Sequence, residues 1–324
     1  MSTAFAEHPV LSPLGVTFKT PPLVEFLKEF MRLVSIGEVS MAVEGLPRTG
    51  KTTAKRFVEM QLTANKKMVV YTATLQRGGG KKGSFWRDLL RKHSASQALS
   101  TNLPYDALFN DILVTADRAA TQKVLIVIDE AQNLTVQKLS ALKKLTDELR
   151  EHNLSPFTLL FLQGDSKALL TALNRHGYFD LVDRFLSRRF RFRGLLLQEV
   201  AEFLRFYDEA VWPPGSSVSY TQHFAPELWR KGWRLSSMAD EFVAAFNKHL
   251  VTGEAEIRTK FLAMAARTVL VDIKGQSPNA ALVNRAVAEC GVVHARIATV
   301  SIEPGHSNQA PRPRLGRLPE DLEI

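Results

Sequence analysis

The chain has a single cysteine, Cys290, so no internal disulfide is available to it and a reducing, cytoplasmic compartment is expected. Cys290 itself reads as a small core residue on a helix. No apolar run approaches the ~20 residues that a membrane-spanning helix needs. Residues 1–13 carry neither the basic flank nor the apolar block of a secretion signal. Strands are missing after Gln198, where only helical spacing recurs. From Glu303 apolar residues thin out while Pro304, Pro311, Pro313 and Pro319 accumulate, the composition of a disordered tail. The whole chain, 324 residues at 45% hydrophobic and 23% charged, has the makeup of an ordinary globular protein of one large or two modest domains.

Acidic residues are scarce in two places. From Gln76 to Lys92 the bases Arg77, Lys81, Lys82, Arg87, Arg91 and Lys92 face only Asp88, and from Arg184 to Arg193 five arginines face no acid. These two stretches together carry more positive charge than the whole chain's net +9, so the rest of the chain is slightly acidic. Excess charge confined in this way marks surfaces with a partner, and nucleic acid is the leading partner class. A solvated basic face is the alternative.

What is present begins with Gly45-Leu46-Pro47-Arg48-Thr49-Gly50-Lys51-Thr52, a full match to the phosphate-loop pattern G-x-x-x-x-G-K-[ST]. A short buried strand, Val39 to Glu44, precedes it; Ala54, Phe57, Val58 and Leu62 follow at helical spacing. Backbone N–H groups and a helix N-terminus would then face the β- and γ-phosphates of a nucleotide. Lys51 would neutralise phosphate charge and the Thr52 hydroxyl would hold Mg²⁺. The residues of the loop from Gly45, Pro47, Arg48, Thr49 and Gly50 through Lys51, Thr52 and Thr53 are the candidate nucleotide contacts.

Thr20 and Pro21 open an amphipathic helix with Leu23, Phe26, Leu27, Phe30, Met31 and Val34 inward. Lys67 to Thr74 reads as a second strand, followed by the glycine-rich basic loop Leu75 to Gly83. Arg77, Lys81 and Lys82 of that loop are candidate DNA contacts, with an exposed flexible loop as the alternative. Val124-Leu125-Ile126-Val127-Ile128 is the β-branched run of a central parallel strand, and it ends in Asp129-Glu130. Asp129 would hold Mg²⁺ through water, and Glu130 would polarise the attacking water of a hydrolysis. A fourth strand, Phe157 to Leu162, leads into Gln163-Gly164-Asp165, where a polar tip would sit near the γ-phosphate or where Asp165 or Ser166 would cap a helix. Tyr178 to Ser187 is a helix that delivers Arg184, Arg188 and Arg189 ahead of a strand around Phe190 to Leu197. Guanidinium groups at this sheet edge would stabilise phosphoryl charge in a neighbouring subunit; for Arg191 and Arg193, more than for Arg188, the alternative is pairing with acids such as Asp180 and Asp183. Helices over Val200–Ala210, Ser236–Leu250, Glu254–Val271 and Pro278–Gly291 complete the chain.

The order of phosphate loop, Val-Ile-Asp-Glu-Ala-Gln-Asn-Leu, Gln-Gly-Asp and Asp-Arg-Phe-Leu-Ser-Arg-Arg-Phe resembles AAA+ ATPases of the initiator-like branch. Within it the chain looks most like transposition regulators of the TnsC, TniB and MuB type, as does the entry segment Phe18-Lys19-Thr20-Pro21. The resemblance covers about Phe18 to Leu197. It implies a five-stranded parallel sheet in the order 5-1-4-3-2 with flanking helices and a helical lid; with the change of pattern at Gln198, the expected division is a flexible arm at 1–15, an ATPase core at 16–197, a lid at 198–302 and a disordered tail at 303–324. It also implies ATP and Mg²⁺ as cofactors, Glu130 as a catalytic residue, and Arg188 as an arginine finger with Arg184 and Arg189 beside it. Asp165 falls at the sensor position, where relatives carry Asn, Thr or Gln; Gln163 is the substitute. The lid's sensor arginine has only Arg285 and Arg267 as candidates. Implied partners are further copies in a ring or filament, duplex DNA held by its backbone, a transposase and a target-selection protein, and no membrane. A nucleotide-gated scaffold for another protein is the competing function.

Overall fold

The computed structural model describes residues 8–12, 18–64, 68–76, 84–90, 104–249, 256–274 and 276–290. Arg77, Lys81, Lys82 and the tail from Glu303 lie outside these residues. The described chain divides into two compact units: one of Leu27–Gly45 and Lys51–Arg191, the other of residues up to Phe26, Leu46–Gly50 and 192–290.

The first unit is built on a parallel sheet. Helix α1 (Pro21–Ser35) leads into β1 (Ser40–Gly45), followed by α2 (Lys51–Ala64), β2 (Val69–Thr74), α3 (Ser84–Leu90), α4 (Pro104–Arg118), β3 (Lys123–Asp129), α5 (Val136–Glu151), β4 (Ser155–Gln163), α6 (Lys167–Arg175), α7 (Phe179–Leu186) and β5 (Arg189–Arg191). The strands are hydrogen-bonded in the order β2-β3-β4-β1-β5, all parallel, which is the expected order read from the other edge. Val124 through Ile128 are wholly buried because helices cover both faces of a central parallel strand. Register places Gly45 opposite Gln163 and Thr74 opposite Asp129, so the ends of four strands share one edge. On α1, Leu33 is buried and Met31 and Val34 only partly so, a small rotation of the expected stripe. Thr135 caps α5 by accepting the Lys138 N–H.

The expected strand Phe190 to Leu197 is broken in two. After β5 the chain leaves the sheet, and β6 (Leu195–Leu196) pairs antiparallel with a later strand at Glu256–Ile257 in the second unit. Gly194 permits this crossing: a Cβ built there would lie 2.5 Å from the Ile257 carbonyl oxygen. Arg193 beside it bonds in bidentate fashion to both Glu25 and Glu199. Burial would lower its pKa, but the bonds to Glu199 and Glu25 outweigh that and hold the proton firmly.

The second unit continues with α8 (Val200–Glu209), α9 (Tyr220–Phe224), α10 (Pro226–Arg230), α11 (Ala239–Asn247), β7 (Glu256–Ile257), α12 (Thr259–Asp272) and α13 (Ala280–Glu289). Phe203, Phe242, Phe246, Leu262, Val269 and Val283 form its core, and Cys290 is buried at its edge. It is not purely helical, because β6 and β7 form a two-stranded ribbon, and α9 and α10 went unread in the sequence. Asp208 accepts the Leu235 and Ser236 N–H groups at 2.9 and 3.0 Å, which shortens the expected Ser236 helix into a 3-10 turn before α11. Residues 8–12 are held against this unit instead of forming part of a free arm. Val10 is buried, His8 stacks on His223 with ring centroids 4.5 Å apart, and Arg267 donates to the Leu11 carbonyl at 2.7 Å.

Candidate functional site

The phosphate loop turns between β1 and α2. Two of its residues have left-handed backbone, Arg48 at φ 69° and Gly50 at φ 116°. At Gly50 a Cβ would lie 3.5 Å from the Phe192 ring, an ordinary contact, so it is the backbone angle that calls for glycine. Arg48 has no such freedom as an L-residue and is held by its neighbours. Its carbonyl accepts the Lys260 N–H at 3.1 Å, and its guanidinium lies 5.1 Å from the Phe261 ring centre. Thr49 is buried and donates its hydroxyl to the Leu46 carbonyl at 2.9 Å, fixing the turn from inside. Pro47 and Thr53 flank these points, the first in the turn and the second in the first turn of α2.

Lys51 opens α2, and its ammonium donates to the Gly45 carbonyl at the end of β1. Burial pulls its pKa down to about 8, opposed by the charges of Glu130 and Asp129. Lys51 is thus a partly buried ammonium at a helix N-terminus, held near two carboxylates.

Asp129 and Glu130 end β3. Asp129 Oδ1 accepts the Glu130 N–H at 3.0 Å, and Glu130 has left-handed backbone at φ 55°, which turns its side chain out of the strand direction. Asp129 Oδ2 receives an ammonium the sequence reading missed: Lys55 Nζ, one helical turn beyond Lys51, at 2.8 Å. A lysine four residues after Lys51 shares its helix face, which was the available signal. At the tip of β4, Gly164 and Gly45 exchange N–H···O bonds at 3.0 Å each, tying the root of the phosphate loop to that tip. Gln163 presents an exposed side chain there. Asp165 accepts the Lys167 N–H at 3.3 Å, the helix-start reading, while Ser166 donates to Glu44 Oε1 at 2.5 Å.

The arginines are mostly engaged. Arg184, on α7, bonds to Asp147 and Thr146 of α5 and so ties the two helices together. Arg188 is half exposed and pairs with Glu38 through Nε at 2.7 Å. Glu38 bonds Arg188 and Asp147 bonds Arg184, Asp183 adds a weaker attractive charge to Arg188, and Asp180 pairs with Lys143 at 2.7 Å. Arg189 is exposed on β5. Of the two lid candidates, Arg267 donates to the Leu11 carbonyl in the 8–12 segment and the exposed Arg285 pairs with Asp272 at 3.0 Å. The bases beside the loop are Arg258, whose guanidinium shares the Phe261 ring with Arg48, and Lys260.

A phosphate loop at the end of β1, an acidic pair at the end of β3 and a parallel sheet in this order define the P-loop nucleotide-binding fold of the AAA+ class. In agreement, the sequence model of the AAA domain family matches residues 37–170. Among solved structures the chain is similar to the ORC2 protein of Aeropyrum pernix in ADPNP–ADP complexes, at 16% identity over 85% of this chain and 68% of that one, with a TM-score of 0.55. It is similar at lower TM-scores to Cdc6p from Pyrobaculum aerophilum (0.46; 14% identity, 87% of this chain and 88% of that one) and to the Aeropyrum pernix ORC1 protein in complex with DNA (0.45; 14%, 86% and 68%). No curated protein matches the sequence.

The AAA+ fold implies a nucleotide with Mg²⁺, and the residues fit that group. Asp129 Oδ2 already accepts a cation, the Lys55 ammonium, and the Thr52 hydroxyl is exposed in the first turn of α2. Thr52 and Asp129 are the residues that would hold the metal. Among the described residues no helix is long and apolar enough to cross a membrane.

Proposed function

We propose that the chain is an ATP hydrolase that works as a nucleotide-controlled, DNA-binding regulator of transposition. The observation that carries the hydrolase reading is the joining of Lys51, Asp129 and Glu130 at one sheet edge, with Lys51 bound to the Gly45 carbonyl and electrostatically coupled to both acids. Loop N–H groups and Lys51 bind the phosphates. Glu130 takes the proton of a water as its oxygen adds to the γ-phosphorus, and the bond to the β–γ bridging oxygen breaks so that ADP leaves with that electron pair. Magnesium, when bound, neutralises phosphate charge. Asp165, expected at the sensor position, points toward a helix-start role, and Gln163 keeps the sensor role within this reading.

Arg188 is the residue offered to a neighbouring copy. Its Glu38 partner keeps the guanidinium extended and charged until a subunit contact replaces that acid. The DNA reading rests on Arg77, Lys81 and Lys82, because the second basic stretch is largely neutralised within the fold by Asp147, Glu38, Glu25 and Glu199. Recruitment of a transposase and a target-selection protein, and release on hydrolysis, are supported by the order of motifs shared with the TnsC, TniB and MuB type. A cytoplasmic site of action goes with that reading.

The test is duplex-DNA binding with ATP or a non-hydrolysable analogue at two salt concentrations, paired with electron microscopy of the same mixture. The reading expects nucleotide-dependent assemblies on DNA, affinity that falls steeply with salt, and loss of binding when Lys81 and Lys82 become Ala. Binding that ignores nucleotide, or no binding at all, would overturn the DNA role and leave a scaffold for protein partners.

A further inference from the structure

The turn after β3 contains a side chain that the reaction as described does not use. Gln132 bridges two parts of the site with the two ends of one amide. Its Nε2 donates to Glu130 Oε2 at 2.5 Å, and its Oε1 accepts the Gln163 N–H at 2.9 Å. Gln163 is the last residue of β4 and lies in register with Gly45, whose carbonyl accepts the Lys51 ammonium. The next residue, Gly164, exchanges backbone bonds with Gly45. A continuous set of hydrogen bonds therefore runs from the phosphate-loop lysine, through the ends of β1 and β4, to the carboxylate at the end of β3.

We propose that Gln132 is a positioning residue for hydrolysis, holding the Glu130 carboxylate in its water-activating orientation and linking that orientation to the tip of β4. The inference rests on the reading of Glu130 as the hydrolytic base. Glu130 needs such a hold for a physical reason. Its backbone is left-handed, and its side chain has three rotatable bonds that nothing in β3 itself restrains. One N–H···O bond to Oε2 fixes the carboxylate plane and leaves Oε1 to accept a proton from water. The acceptor end of the same amide is anchored to a backbone N–H in a five-stranded sheet, so the hold is rigid in the direction that matters. Had the amide been reversed, its NH₂ would face the Gln163 N–H and its oxygen would face a carboxylate; both contacts would be repulsive, so the hydrogen-bond pattern fixes its orientation.

Two substitutions separate this role from mere support of the turn. Gln132→Met keeps the length of the side chain and removes both bonds. Gln132→Glu keeps an acceptor for the Gln163 N–H but sets a carboxylate against Glu130. Steady-state ATP hydrolysis and binding of a fluorescent, non-hydrolysable ATP analogue are measured for the full chain, with thermal melts for folding. Positioning predicts a fall in kcat of roughly 10- to 100-fold in both variants, with analogue affinity within about twofold of the parent. It also predicts that adding Gln132→Met to Glu130→Gln lowers turnover no further, since the amide acts only through that carboxylate. If Gln132→Glu hydrolyses like the parent while Gln132→Met does not, Gln132 merely supports the β4 tip and the proposal is wrong. Normal kcat in both variants also overturns it while leaving the hydrolase reading intact. A parent protein that releases no phosphate refutes the hydrolase reading itself.

Discussion

Lys55 offers the sharpest handle on the metal position. In the described structure its ammonium is 2.8 Å from Asp129 Oδ2, and at an effective dielectric of about 20 that separation corresponds to roughly 6 kcal/mol of attraction. The two side chains are only 12% and 22% exposed, so each loses hydration worth several kcal/mol, and the net pair is worth about 1–2 kcal/mol. A divalent cation recruited by Asp129 must displace this ammonium or share the carboxylate with it. Replacing Lys55 by Met removes the competitor while keeping the aliphatic stem. The expected result is tighter binding of Mn²⁺, used as a paramagnetic stand-in for Mg²⁺, by roughly 5- to 30-fold when the protein is loaded with a non-hydrolysable ATP analogue. The metal-free, nucleotide-free protein should at the same time melt lower, because Asp129 is left half-buried with less compensation. Electron paramagnetic resonance titration and calorimetric melts read the two effects. Unchanged or weaker metal binding in Lys55→Met would refute the competition and make Lys55 part of the ligand site.

Arg188→Ala should lower ATP turnover by about 10³-fold or more in the DNA-bound assembly and leave analogue binding by the isolated chain unchanged, because an arginine supplied in trans acts on the transition state of another copy. Glu38→Gln should leave assembled turnover intact or raise it slightly, since it only frees that arginine; phosphate release with and without DNA measures both. His8 gives a pH test. Burial, and then the charge of His223, lower its pKa to about 4 from 6.5, so the unfolded chain takes up the proton first as pH falls. Stability is thus fully present above about 6.5 and is lost between there and 4, and His8→Phe should flatten the melting temperature over that window in scanning calorimetry.

The sheet was legible because its strands announce themselves one at a time. Val124 to Ile128 cannot be amphipathic, so they must be covered on both faces, and the phosphate loop fixes which strand is central. The Asp-Glu end of β3 was legible for the same reason: two acids closing a buried apolar run need a ligand edge. What escaped the reading depends on contacts between distant residues. Gly194 looks like any turn glycine until Ile257 is placed against it, and the expected long strand then becomes two short ones. Arg184, Arg188 and Arg193 carry the same side chain, yet only the fold assigns one to Asp147, one to Glu38 and one to a pair of glutamates. Gln132 sits in plain view after the acidic pair, but its role requires β4 to end beside it.

The hydrolase account is tested most directly by phosphate release from the parent and from Glu130→Gln, measured together with ATP binding under identical DNA and magnesium conditions. The account predicts that the parent releases phosphate and that the variant binds ATP equally well but turns it over at least 100-fold more slowly. Equal turnover by the two proteins would contradict it.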